Sequence, residues 1–252
     1  MFRFLLLLAG VLIYISPLHA AEQRLALTLG ESTIPIRIIE YGSGPTFVAL
    51  HANESTAEQV AKAYVERCQG RFVGIENGNE RNVSFVLAGV TYTFDPNRIF
   101  TMHGIAATLK RYGPYSDAAR DEVAGFAGML LGIMRQSHLI VALHNNTNGS
   151  YGINSYLAGG SEAASAQAVH VETGQDADNF FFVTDRLLHA ALVGRKYNSV
   201  LQTRSPIDDG SLLVYAGQNH WPYVNVEAEH GAAGAQGRMF DSLFGALDIC
   251  GY

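Results

Sequence analysis

Thr46-Phe-Val-Ala-Leu50-His51-Ala-Asn-Glu54 decides the reading of this chain: a five-residue run with every position apolar or small delivers a histidine, and three residues later a glutamate. A run of that length and composition reads as a strand buried on both faces. A second such run, Leu139-Ile-Val-Ala-Leu-His144, ends in the same way. In an open α/β sheet the crevice beyond the carboxyl ends of the strands is where ligands bind. Two imidazoles and one carboxylate arriving there form a three-ligand set that leaves a coordination position open on zinc, the composition of a hydrolytic metal site.

Working outward, Arg24–Leu29 and Ile34–Glu40 read as paired strands around Gly30-Glu-Ser, and a helix capped by Ser55 or Thr56 runs through Cys68 to Gly70. Phe72–Ile75 and Val83–Leu87 are short strands. From Ser116 to about Gln136, Val123, Phe126, Ala127, Leu130, Leu131 and Met134 recur at helical spacing and lead into the strand Leu139–Leu143. Further runs are Phe180–Val183, a helix over Asp185–Val193, the strand-like Leu212–Tyr215, Tyr223–Val226 and a last helix over about Ala235–Leu247. Alternating strands and helices predict a mixed or mainly parallel sheet covered on both sides. The 35 or so residues between His144 and Asn179 are rich in Asn, Gly, Ser and Ala without periodicity, as expected of a functional rim.

The chain has 252 residues, 48% of them hydrophobic, enough for one sizeable α/β domain. Met1-Phe-Arg, the apolar run Phe4–Ile15 and Ser16-Pro-Leu-His-Ala20 have the layout of a signal peptide cleaved after Ala20, with a catalytic domain over 21–252 and a periplasmic or secreted destination. Loss of Arg3 takes the formal net charge from -6 to -7. An acidic chain with no basic run longer than Lys110-Arg111 predicts no nucleic-acid partner, and no stable membrane insertion is expected once the leader is removed. Cys68 and Cys250 are the only cysteines, which excludes a cysteine-based metal cluster; export allows them to pair or to remain thiols.

His51-x-x-Glu54 taken alone is weak, since a surface histidine and a carboxylate at a helix start account for it equally well. A second element, Tyr92-Thr-Phe-Asp95-Pro-Asn97-Arg98, adds a planar guanidinium that matches a carboxylate and an amide donor beside it, although Asp-Pro-Asn is also ordinary turn chemistry. Asn225-Val-Glu227 closes a late strand, and Glu229 points to the same face two residues on. Tyr151 and Tyr156 on the long loop, and His103 and Arg111 after the Asn-Arg pair, are further candidates for the lining of a pocket. A Gly-x-Ser-x-Gly elbow is absent, as is a phosphate-binding glycine loop.

In this order the elements resemble the zinc carboxypeptidase superfamily, which includes digestive carboxypeptidases, bacterial murein peptide amidases and the succinylglutamate desuccinylase/aspartoacylase deacylases. The resemblance implies a three-layer α/β/α sandwich with a mixed, mostly parallel sheet of about eight strands. It also implies one Zn²⁺ per chain held by His51, Glu54 and His144, substrate binding by Asn97 and Arg98, and Glu227 as general base and acid, with Glu229 as its rival. The expected substrate is a peptide or N-acyl amino acid. The 25 residues after Glu227 leave no room for the β-rich domain that the deacylases carry at that end. Together with export, this favours a carboxypeptidase or amidase acting on cell-wall stem peptides, with an N-acyl-amino-acid deacylase as the alternative. A non-catalytic binding module that keeps the fold is the alternative from another class.

Overall fold

The computed structural model describes residues 20–134 and 137–249. The leader segment up to residue 19, the expected end of the long helix at Gln136, and Cys250 lie outside them. In chain order the strands are β1 (Ala21–Leu29), β2 (Ser32–Glu40), β3 (Thr46–Ala49), β4 (Arg71–Ile75), β5 (Val83–Leu87), β6 (Val90–Phe94), β7 (Ile140–Asn146), β8 (Ala166–His170), β9 (Phe180–Val183), β10 (Ser199–Gln202) and β11 (Tyr223–Glu229). The helices are α1 (Ser55–Arg67), α2 (Met102–Tyr112), α3 (Asp117–Met134), α4 (Arg186–Gly194), α5 (Leu212–Gln218) and α6 (Ala233–Leu247).

Nine strands form one mixed sheet in the order β1-β2-β4-β3-β7-β11-β9-β10-β8, and β5 and β6 form a separate hairpin. The pairings β4-β3, β3-β7 and β7-β11 are parallel and occupy the centre of the sheet. The hairpin β1-β2 and the β11-β9 and β10-β8 pairings are antiparallel. Period-2 alternation along the central strands builds the two faces. Val48, Leu50, Ile140 and Ala142 face a core with α2, α3 and α5, whereas Phe47, Ala49, Val141 and Leu143 face one with α1, α4 and α6. This is the expected three-layer sandwich. A third, smaller core of Ile153, Tyr156, Phe180, Phe182 and Val200 anchors the loop that follows β7 against β9 and β10.

The structure corrects four local expectations. Leu212–Tyr215 belongs to helix α5, because the Ser211 hydroxyl accepts from Val214 N and caps the turn; a four-residue apolar run does not distinguish a buried strand from a buried helix. Ser55 and Thr56 lie inside α1, and Glu54 holds the cap position with its side chain turned elsewhere. The aperiodic stretch after His144 contains β8, which pairs antiparallel with β10 at the edge of the sheet. Helix α2 follows the Asp-Pro-Asn-Arg turn, capped by Thr101, whose hydroxyl accepts from Gly104 N. Cys68, at the end of α1, is disulfide-bonded. None of the described helices is long and apolar enough to cross a membrane.

Candidate metal centre

Three adjacent strands bring the site together. Leu50 continues β3 into His51, and His144 lies within β7, the parallel neighbour of β3. On the other side of β7, Glu227 of β11 is directly opposite His144 in register, so the two side chains leave the same face of the sheet. Glu54 closes the turn between β3 and α1, its N–H donating to the His51 carbonyl. Asn145 braces this arrangement: its Oδ1 accepts from Ala57 N at the start of α1, and its Nδ2 donates to Gln236 Oε1 of α6.

Each of His51, Glu54 and His144 offers a ligand atom, and these atoms all lie within 4.8 Å of one another with all three residues buried. The Glu54 carboxylate faces one imidazole with each oxygen: Oε1 is 2.9 Å from His51 Nδ1 and Oε2 is 2.9 Å from His144 Nδ1. The first contact is close but lacks hydrogen-bond alignment, so His51 Nδ1 is a buried nitrogen with no hydrogen-bond partner. A buried nitrogen without a partner is costly. Its position among two other convergent donors fits a metal ion, and two imidazoles with one carboxylate match zinc in composition.

The other nitrogen of the His51 ring bonds Asp95 Oδ1 at 2.8 Å. A carboxylate behind the distal nitrogen fixes the tautomer and orientation of a ligating imidazole. Asp95 is thus more than a turn residue. It also accepts from Asn97 N to start the short 3-10 turn at Pro96–Arg98, and its own N–H donates to Thr108. Arg81, which sequence reasoning did not single out, donates from Nη1 to Glu54 Oε1 at 2.8 Å and lies 3.5 Å from Asp95 Oδ2. It offsets two carboxylates that would otherwise be buried beside one another.

The titration behaviour follows from these contacts. Burial disfavours the imidazolium of His51, but Glu54 and Asp95 outweigh it and push the group up to about 9. Burial by itself would raise both carboxyls; the histidines instead hold Glu54 well below the usual carboxylate range, and the bond to His51 does the same for Asp95. Glu227 behaves in the opposite way. It is buried with Oε2 lacking a partner, and desolvation raises it to about 7 despite the nearby histidines.

A cavity of about 580 Å³ opens on the triad, lined by Asn97, Arg98, Tyr151, Tyr156, Asn225 and Glu227 among others. Glu229 is not among its lining residues, so the strand places Glu227 there and not its rival. Arg98 donates to the Asn97 carbonyl and lies 3.3 Å from Asp209, both side chains being partly exposed. An exposed pair of this kind is weak enough for another carboxylate to replace it. Asn97 Oδ1 accepts from Leu212 N at the head of α5, which leaves its amide donor for other use. The turn is clamped from behind, where Gly104 and Gly210 pass so closely that a Cβ on Gly104 would lie 2.2 Å from Gly210 Cα. The hydroxyls of Tyr151 and Tyr156 bond each other at the cavity wall. Arg111 lines a neighbouring cavity of about 420 Å³ shared with Arg81 and Arg98, and His103 lines neither.

No protein-family profile matches the chain. No curated protein matches it either. Among solved structures, it is similar to a succinylglutamate desuccinylase/aspartoacylase from Rhodobacter sphaeroides, with a TM-score of 0.45 and 14% identity over 96% of this chain and 69% of that one. It is also similar to an aspartoacylase family protein from Mesorhizobium loti, with a TM-score of 0.46 and 11% identity over 95% of this chain and 70% of that one. At that distance neither structure assigns a residue, a metal or a substrate to this chain.

Two outcomes follow from the geometry. Asp95→Ala should lower zinc affinity about 10- to 100-fold while the fold persists, measured by competition with a chromophoric chelator; unchanged affinity would show that the His51–Asp95 bond does not support a ligand. In the metal-free protein, Glu227 ionises near 7 when folded and near 4.5 when unfolded. A raised carboxyl costs stability as pH climbs from about 4.5 to 7, because the unfolded state releases its proton first. Glu227→Gln removes that loss. The variant should match the parent near pH 4 and exceed it by about 3 kcal/mol at pH 8 in urea unfolding; parallel pH profiles would contradict the burial of an ionising Glu227.

Proposed function

We propose that this chain is a zinc-dependent hydrolase that cleaves an amide bond near a free carboxylate, in a small N-acyl amino acid or a short peptide. The observation that carries the proposal is the convergence of His51, Glu54 and His144 on one point, in a cavity that Glu227 and Arg98 share. His51, Glu54 and His144 would hold the ion. When bound, zinc supplies a Lewis acid that polarises a carbonyl and acidifies water.

The remaining chemistry belongs to the chain's own groups. Glu227, with a carboxyl raised to about 7, suits a group that must accept a proton from water and return it to the leaving amine near neutral pH. Arg98 leaves its exposed pairing with Asp209 to grip the substrate carboxylate with a planar fork of donors. The free Asn97 amide stands next to it. Arg81, partly exposed at the cavity wall, adds a second guanidinium toward which negative charge on the carbonyl oxygen can develop.

A cavity of this size accommodates either an acylated amino acid or a dipeptide unit. The cell-wall reading adds export, which rests on the composition of residues 1–20 and places the domain over 21–252 in the periplasm or outside the cell. The competing reading, a binding module without catalysis, requires Glu227 to serve no proton transfer.

Glu227→Gln separates the two. Turnover of a hydrolysed N-acyl amino acid or dipeptide, found by screening a panel of both, should fall about 10²- to 10⁴-fold with zinc content unchanged. Glu229→Gln should leave the rate within a few fold of the parent. A zinc-loaded parent that hydrolyses no member of the panel, or a Glu227→Gln variant with full activity, would contradict the hydrolase reading.

A further inference from the structure

Four carboxylates line the metal cavity: Glu54, Glu162, Asp209 and Glu227. Glu54 is held by the histidines and Arg81, Asp209 faces Arg98, and Glu227 is the general base of the proposed reaction. Glu162 is left over. It is half-buried, and its carboxylate makes no hydrogen bond and no ion pair among the described residues.

The position of Glu162 is built with care. Its N–H donates to Ser155 O at 2.8 Å, its carbonyl accepts from Ser165 N at 2.9 Å, and Thr203 N of the neighbouring segment donates to Ser165 O at 3.0 Å. Gly160 passes so close that an added Cβ would lie 2.3 Å from Ser155 O. The segment that carries Glu162 is therefore bonded to its surroundings on both sides. The carboxylate's field reaches the two tyrosines of the cavity wall, where it adds to burial in raising Tyr151 and Tyr156. The two arginines of the same cavity are engaged elsewhere, Arg98 with Asp209 and Arg81 with Glu54 and Asp95, so an unpaired carboxylate that shares the cavity wall with two tyrosines is a receptor for a cation that comes from outside.

We propose that the substrate carries an ammonium or guanidinium group, received by Glu162 and the Tyr151–Tyr156 wall, in addition to the carboxylate received by Arg98. Both ends lie in the same cavity, so the class is an amide whose carboxylate-bearing half is a basic or diamino acid. This rests on the hydrolase reading for the role of Arg98.

The test is binding to the zinc-loaded chain by calorimetry. Lysine, ornithine and arginine are compared with norleucine, which keeps the carboxylate and a similar chain but lacks the side-chain cation. At least one basic amino acid should bind about tenfold or more tightly than norleucine, a difference of about 1.4 kcal/mol. Glu162→Gln should abolish the preference by weakening the basic ligand alone, with norleucine affinity and zinc content unchanged. Equal affinities in the parent, no binding of any of the four, or a preference that survives in Glu162→Gln would overturn the inference. A chain that takes up zinc and binds norleucine through Arg98, as shown by its loss in Arg98→Ala, yet shows no preference for a cation, refutes the cation site and leaves the hydrolase reading standing. A chain that takes up no zinc removes both.

Discussion

The parallel ladder β3-β7-β11 is the constraint on which the site depends. Its register sets Glu227 opposite His144 and brings the end of β3, with His51, alongside. A one-residue slip in β11 would send Glu227 to the opposite face, into the packing of α1, α4 and α6, and would expose Val226 to the cavity. The slip is prevented by apolar residues on both faces. Tyr223 packs on one side and Val224, Val226 and Ala228 on the other, so every shift exchanges a filled position for a polar one. Function and folding therefore rest on the same hydrogen-bonded pairing.

The electrostatics of the centre form a closed set. Two buried carboxylates, Glu54 and Asp95, are offset by Arg81 and by two imidazoles, and burial without these partners would drive both carboxyls to take up protons. A raised His51 describes the metal-free protein, in which a proton occupies the place of an ion. Metal binding and proton release are consequently coupled at this site. Glu227 stands outside the compensated group, with no arginine to lower it, which is why it alone among these carboxyls rises.

Much of this was legible in the sequence, for reasons that differ from residue to residue. The runs at Thr46–Leu50 and Leu139–Leu143 are apolar or small at every position, a pattern suited to central parallel strands, and each is followed by its histidine; order along the chain then linked them to Asn97, Arg98 and Glu227. The structure brings these residues into one cavity. Strand phase puts Glu227 and Glu229 on the same face, so the choice between them rested on position along the strand and on the order of the motifs; Glu227 is the one that lines the cavity. Arg81 could not be seen, because it lies in a loop with no spacing relation to its partners and acquires meaning only when the loop before β5 brings it to Glu54 and Asp95. Asp95 was visible as turn chemistry and not as a partner of His51, since a contact spanning 44 residues leaves no local pattern. Strands β8 and β10 escaped because edge pairing and a four-residue length give weak alternation, and α5 because four apolar residues fit either state.

The central claim, that His51, Glu54 and His144 converge on one metal, is tested most directly by X-ray absorption at the zinc edge on the protein loaded with one equivalent of Zn²⁺. The account predicts a first shell of two imidazole nitrogens and oxygen donors at about 2.0–2.2 Å, with no sulfur, and loss of one imidazole's outer-shell scattering in His144→Ala. A shell that contains sulfur at about 2.3 Å, or one unchanged by the loss of His144, would contradict it.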